Sequence, residues 1–318
     1  MASATKMASL RWQLLRRHLL PKADHCDDQE LIQVSRRPRG RFGLVMIERL
    51  PLCEVEEDEW PNKELRSIVV KYQVPVNPVV DLVLIQRKEN GACLSDFAYA
   101  KENQIDMTGL VGLWPAEEVL THFCACNPSL FRNKRVLELG SGYGLGGLAI
   151  AACTEATEVV LTDGNPQIIE YVKVNIRRNV QVFGTTEVKA HLLNWGDNLP
   201  STFVHSFDIV IAADCTFFRE SHLALACSVK GLLKNSGDSQ ALLFNPQRDG
   251  SLHAFLQIAR DLRLSVDLKE QYNASVWSIH ESLMKGETQR WCNYDMDHCY
   301  PLLAVLTHVD LDGIQGEN

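Results

Sequence analysis

A chain of 318 residues can bury a full hydrophobic core, and its length alone allows about two domains. A formal charge of −8 argues against a general nucleic-acid binder, and no apolar run approaches the roughly 20 residues of a membrane-spanning helix. The ten cysteines are scattered without a C-x-x-C, Cys124-Ala125-Cys126 is too close for a normal zinc pair, and the histidines are dispersed. No metal site is therefore expected, and the thiols read as reduced, which suits the cytoplasm or nucleus.

Residues 1–45 differ from the rest. Lys6, Arg11, Arg16, Arg17, Lys22, Arg36, Arg37, Arg39 and Arg41 outnumber the acids, and Leu10, Trp12, Leu14, Leu15 and Leu19 give a helical apolar face. Arg16 and Arg17 break the apolar run, against a secretory signal. An organelle transit peptide, a docking helix for an acidic partner and a solvated basic face stay open, with docking preferred. After the acidic run Glu54–Glu59, residues 46–108 read as an accessory β region. There Ser67–Tyr72 and Asp81–Ile85 are expected to pair as a hairpin around Pro75–Pro78.

From 109 to 309 strands and helices alternate, the pattern of a doubly wound α/β sheet, and 310–318 is a polar tail. Pro115 suits the first turn of a helix through Glu117, Val119, Leu120 and Phe123, with Trp114 just before it. Arg135–Gly147 reads RVLELGSGYGLGG, an apolar strand that stops at Gly140, a glycine turn and a helix start. Such a turn lets a nucleotide-like ligand lie against bare backbone. It satisfies G-x-G-x-x-G, so a nicotinamide dinucleotide is formally open. Glu138, however, gives E-x-G-x-G at the strand end. The next strand, Glu158–Asp163, delivers Asp163 about 20 residues past the turn, where an acid can accept ribose hydroxyls; a turn or helix-capping role is the plainer alternative.

The third strand is expected at Val188–Leu193, followed by Trp195 where an adenine edge would lie, although Trp114 and Trp195 could both be core. The fourth, Phe207–Ala213, runs into Asp214-Cys215-Thr216-Phe217-Phe218, so Ala213, Asp214 and Phe217 fall at the ligand-binding edge of the sheet; a helix cap with buried aromatics is the alternative there. Cys215 reads as a small packing residue. The fifth strand is placed at Ala241–Phe244, a helix at Ser251–Asp261, the sixth strand at Leu264–Leu268 and the seventh at Tyr300–Thr307. A non-helical insertion between the last two would leave strand seven antiparallel, between five and six. The insertion's Tyr272–Asn293, with Trp277, Trp291 and Tyr294 nearby, either shapes a channel or packs.

These residues resemble the seven-stranded S-adenosylmethionine-dependent enzymes that methylate protein lysines, in particular those acting on calmodulin. The resemblance runs nearly the whole length. It is carried by Arg11–Arg16, Leu113-Trp114-Pro115, Leu137-Glu138-Leu139-Gly140, Leu161-Thr162-Asp163-Gly164-Asn165, Ala213-Asp214-Cys215 and Tyr300-Pro301-Leu302-Leu303. Asp214-x-x-Phe217 matches their acceptor motif, in place of the Asn/Asp-Pro-Pro-Tyr of enzymes acting on amide or base nitrogens. Ser141 departs from the commoner glycine. The resemblance implies a Rossmann-like seven-stranded methyltransferase sheet with antiparallel strand seven, behind an N-terminal helix and hairpin layer. It implies S-adenosylmethionine as cofactor, held by Trp114, Glu138, Gly140, Ser141, Gly142, Asp163, Trp195 and Ala213, with Asp214 and Phe217 at the chemistry.

A lysine amine must lose its proton before attack, and its free pKa is about 10.4. Asp214 could orient the ammonium group, although its charge would raise the amine's pKa; dry aromatic walls push the other way. The implied activity is trimethylation of one calmodulin lysine by a monomer in cytoplasm and nucleus, with S-adenosylhomocysteine released and no nucleic acid or membrane involved. A chaperone or elongation factor as substrate, a nicotinamide-dependent oxidoreductase and a non-catalytic binding module are the alternatives.

Overall fold

A computed structural model describes residues 40–51, 67–87, 107–288, 290–291 and 293–309. The helix expected near the amino end, the acidic run Glu54–Glu59 and the tail 310–318 lie outside the described residues.

The main sheet has seven strands in the order β6-β5-β4-β7-β8-β10-β9. They are β4 (Arg135–Leu139), β5 (Glu158–Asp163), β6 (Glu187–Leu192), β7 (Ile209–Ala213), β8 (Gln240–Asn245), β9 (Leu264–Lys269) and β10 (Leu302–His308). The central strands β4, β5, β7 and β8 are almost wholly buried, as near-continuous apolar runs in a parallel sheet covered on both faces should be. The outermost strands β6 and β9 are partly exposed. As expected, β10 is antiparallel to both neighbours, β8 and β9.

The helices are α1 (Pro115–Cys126), α2 (Leu145–Cys153), α3 (Pro166–Asn179), α4 (His222–Leu232), α5 (Ser251–Asp261), α6 (Ala274–Met284) and α7 (Met296–Cys299). Local chemistry sets their starts. Pro115 and Pro166 occupy first turns, where a missing N–H costs nothing. Asn165 Oδ1 accepts from Gln167 N at 2.9 Å and caps α3.

Two expectations need correction. The fourth strand begins at Ile209, because the Asp208 carboxylate takes the N–H of Arg135 at 2.8 Å and Phe207 makes only an isolated bridge to Leu233. The segment between β9 and β10 is helical in part. Asn273 Oδ1 caps α6 by accepting from Ser275 N and Val276 N at 3.0 and 3.1 Å, and Val276, His280 and Leu283 bury one helical face.

The expected hairpin is present as β2 (Ser67–Val74) against β3 (Val80–Arg87), and β1 (Met46–Leu50) adds a third antiparallel strand. Helix α3 covers the free edge of β3 with two asparagines. Asn175 accepts from Ile85 N at 2.7 Å, and Asn179 accepts from Val83 N and donates to Val83 O, both at 2.8 Å. An otherwise open row of backbone groups is thereby paired. Glu118 of α1 draws in the preceding chain by accepting from the N–H groups of Phe42, Leu44 and Val45 at 3.1, 2.7 and 3.3 Å. Burial pushes its carboxyl up, against these donors.

Candidate active site

A cavity of about 490 Å³ opens at the carboxyl ends of β4, β5, β7 and β8, where ligands gather in open parallel sheets. Its floor is the glycine turn between β4 and α2. Gly140 has φ +64, and a Cβ there would lie 2.9 Å from Cys215 Sγ and 3.3 Å from the Trp195 ring. On Gly146 a Cβ would lie 2.6 Å from Glu138 Oε1, so the turn closes only without side chains. Tyr143 fastens it to the smaller sheet by accepting from Arg87 N and donating to Leu110 O at 3.1 and 3.0 Å.

Trp114, Glu138, Gly140, Gly142, Asp163, Trp195 and Ala213 all line the cavity. Asp163 accepts from Gly142 N at 3.2 Å and Asn165 N at 2.9 Å, so it serves the turn and faces the cavity at once. Ser141 stands apart. It is buried, its N–H donates to Thr162 O at 2.9 Å, and its hydroxyl finds no partner among the described residues.

Sequence reasoning missed Glu117. Its Oε1 accepts from Leu145 N at 3.2 Å, while Glu138 Oε2 accepts from Gly147 N at 2.9 Å. Two carboxylates thus occupy the first amides of α2, where a dinucleotide fold receives pyrophosphate. Burial, with Asp163 adding, pushes Glu117 up to about 8 against the amides of Leu145 and Gly146. Burial and then the nearby Glu117 push Glu138 well above the ordinary carboxylate range. Three carboxyl groups beside bare glycine backbone suit a ligand with cationic centres and ribose hydroxyls. Their oxygens already take the amides that a pyrophosphate would need, which argues against the dinucleotide alternative. The residues present therefore fit S-adenosylmethionine. From sequence, Glu117 was an ordinary acid in a helix's first turn.

The other end of the cavity holds Asp214, Cys215, Phe217, Phe218 and Arg248. Asp214, at φ +56, has both oxygens engaged by Arg248: Nε to Oδ1 at 3.0 Å and Nη2 to Oδ2 at 2.5 Å. Their side chains are 5 % and 11 % exposed. The guanidinium lies 5.0 Å from the Phe217 ring centre and 5.7 Å from that of Trp114. The carboxylate expected to orient an ammonium group is thus already paired with a guanidinium of the same chain. Arg248 belongs to a turn, Pro246–Gly250, that reads from sequence as plain surface. Behind this end, Thr216 is pinned by three polar groups. Its N–H donates to Asn245 Oδ1 at 3.1 Å, its carbonyl accepts from Ser251 Oγ at 2.6 Å, and His222 Nε2 lies 2.9 Å from the same carbonyl. Burial lowers the pKa of His222.

The insertion's aromatics pack elsewhere. Trp291 and Tyr294 meet the Phe42 ring edge-on at 5.6 and 6.3 Å, Tyr272 contacts Phe123 and Phe244, and Trp277 contacts Tyr300. None of Tyr272, Trp277, Trp291 and Tyr294 lines the cavity, so packing is their role.

A family model described as lysine methyltransferase matches residues 99–261. Calmodulin-lysine N-methyltransferase of Arabidopsis thaliana is 44 % identical over 306 residues, 96 % of this chain and 98 % of that protein. Protein N-lysine methyltransferase METTL21A of Danio rerio is 29 % identical over 168 residues, 53 % of this chain and 70 % of that protein. Protein-lysine N-methyltransferase EEF2KMT of Mus musculus is 27 % identical over 194 residues, 53 % of this chain and 58 % of that protein. Matched by the model over half its length and aligned end to end with a relative, this chain belongs to the lysine methyltransferase family, whose methyl donor, S-adenosylmethionine, the acidic glycine cradle accommodates.

Proposed function

We propose that this enzyme methylates a lysine of calmodulin, up to the trimethyl state. The observation that carries the substrate assignment is the match to a calmodulin-lysine N-methyltransferase along 98 % of that protein's length. The cavity supplies consistent chemistry. When bound, S-adenosylmethionine supplies an electrophilic methyl group on a sulfonium. Glu117, Glu138 and Asp163 set three carboxyl groups on the cradle side, which a bound cation draws toward ionisation. Phe217, Phe218 and Trp114 wall the acceptor side, exclude water and present aromatic faces to a nitrogen that loses N–H donors with each methyl gained. A wall that attracts by cation–π rather than by hydrogen bonds tolerates every methylation state. Alignment of the amine with the methyl group supplies much of the rate.

We further infer that the enzyme acts as a monomer in the reducing cytoplasm or nucleus, on the strength of the scattered cysteines, of which Cys124, Cys126, Cys153, Cys215, Cys227 and Cys299 are free thiols. The basic segment 1–45 is assigned to docking on the acidic substrate, since calmodulin favours basic amphipathic helices.

Purified enzyme, labelled S-adenosylmethionine and recombinant unmethylated calmodulin form the direct test. Label should enter calmodulin, with peptide mass spectrometry finding three methyl groups on one lysine. Labelling of another protein in a cell extract, with calmodulin left blank, would end the calmodulin assignment. Deleting residues 1–39, which leaves Phe42, Leu44 and Val45 in place against Glu118, should weaken calmodulin capture and its salt dependence, and unchanged affinity would remove the docking role.

A further inference from the structure

We propose that Arg248 is a positioning residue that acts through Asp214, cancelling the carboxylate's charge so that the target lysine is received as the neutral amine. The inference rests on lysine methylation and not on calmodulin as the substrate.

A lone buried carboxylate beside the acceptor nitrogen would favour the ammonium form, which has no lone pair to attack with. Here both Asp214 oxygens accept from one guanidinium, the two-point pairing that fixes a carboxylate most firmly. Arginine is the side chain suited to this pairing, because its planar fork matches both oxygens of a carboxylate. It is also a like charge to an arriving ammonium, which again favours the neutral amine. With the carboxylate cancelled, the desolvating effect of the Phe217 and Trp114 walls is left to act. The proton departs to solvent, and the amine's lone pair then forms the N–C bond as the donor's S–C bond breaks.

The backbone around Arg248 is built to deliver this side chain. Arg248, Asp249 and Gly250 are successive left-handed residues, at φ +46, +51 and +74. Two of the three are not glycine, and such strain persists only where the surroundings enforce it. Three contacts enforce it. Asp297 O accepts from Arg248 N at 2.8 Å, Asp297 Oδ2 accepts from Asp249 N at 2.8 Å, and Arg219 Nη2 donates to Asp249 O at 2.8 Å.

Other ionisable groups surround the pair. Cys299, at the end of α7, feels both charges and is pushed up chiefly by burial. His298 and Asp295 sit with Asp297 behind the turn, and Glu220 follows Arg219. Glu117, Glu138, Asp163 and Asp197 line the cavity toward the cradle.

The test compares single-turnover methylation against pH for wild type, Arg248→Gln, Arg248→Lys and the double variant Arg248→Gln with Asp214→Asn. The substrate is whichever protein the wild type methylates. Arg248→Gln should move the acidic limb of the rate profile upward by about one pH unit or more, the usual effect of an uncancelled charge nearby. Arg248→Lys should keep the limb near its wild-type position, and the double variant should bring it back. Cofactor affinity by calorimetry should stay within about twofold in every variant, because the pair lies at the acceptor end. A uniform loss of rate with the limb unmoved would overturn the proposal. If Arg248→Gln does not fold, the double variant, which leaves neither charge unpaired, decides alone: a limb above the wild-type position overturns the proposal, and one at or below it supports it. A wild type inactive on every lysine substrate would instead end the functional reading itself.

Discussion

The two ends of the cavity use charge in opposite ways. At the cradle, Glu117, Glu138 and Asp163 gather three carboxyl groups around the first amides of α2 and the glycine turn, without a cation in hydrogen-bond contact with Glu117 or Glu138 among the described residues. At the acceptor end, Asp214 is cancelled by Arg248 between aromatic rings. One end gathers carboxyl groups that burial holds protonated and that a cationic cofactor draws into ionisation. The other removes charge, so that burial can strip a proton from the incoming amine. A uniformly acidic cavity would bind both substrates well and leave the nucleophile protonated.

The largest expected effect is at the cradle. Asp163→Ala should weaken cofactor binding on the order of 100-fold by calorimetry, because a hydrogen bond from a ribose hydroxyl to a charged carboxylate is worth roughly 1.5–3 kcal/mol and Asp163 also orders the turn by accepting from Gly142 N and Asn165 N. Unchanged affinity would mean the cradle's charge is ornamental. Phe217→Ala tests the other end. It should lower kcat/KM for the protein substrate roughly tenfold, a loss of about 1.4 kcal/mol, by opening the dry wall beside the acceptor and removing the ring that Arg248 lies over, while cofactor affinity barely moves. Equal losses in both would erase the distinction between the ends.

A smaller effect separates the ends by pH. The carboxyl of Glu117 is raised to about 8 in the folded protein. Its contribution to stability is therefore present below the ordinary carboxylate value and is lost as pH rises through about 8, by at most roughly 1.4 kcal/mol per pH unit. A cationic ligand favours the ionised form, so cofactor affinity should rise about fivefold between pH 7 and pH 8. Glu117→Gln should flatten both trends, and a persistent trend would assign the titration elsewhere. The smallest effect on activity is expected from Trp291→Ala, outside the cavity. Losing the rings it meets at Phe42 and Tyr294 should lower the unfolding free energy by less than the roughly 3–5 kcal/mol of a fully buried aromatic, read as a lower Tm, with methylation within about twofold of wild type.

Most of the fold was legible in the residues. Continuous apolar strands, the first-turn Pro115 and the proline-flanked hairpin are local signals that the tertiary structure had no reason to override. The partly helical insertion was misread because its turn formers and scattered aromatics hide the spacing of Val276, His280 and Leu283, which becomes a face only once Tyr300 and Phe42 are there to cover its surroundings. Among candidate site residues, Trp114, Glu138, Gly140, Gly142, Asp163, Trp195, Ala213, Asp214 and Phe217 converge on one cavity, and Ser141 is not among the residues that line it.

By itself the sequence determined where a ligand could lie. A left-handed glycine, an acid at a strand end and an Asp-x-x-Phe after the fourth strand are each written within a few consecutive residues. Only the tertiary structure decided what charge that ligand meets. Arg248 reaches Asp214 across 34 residues and Glu117 reaches Leu145 across 28. Arginine in a turn and glutamate in a first helical turn are commonplace residue choices. Their roles arise from burial and proximity, which no local pattern encodes.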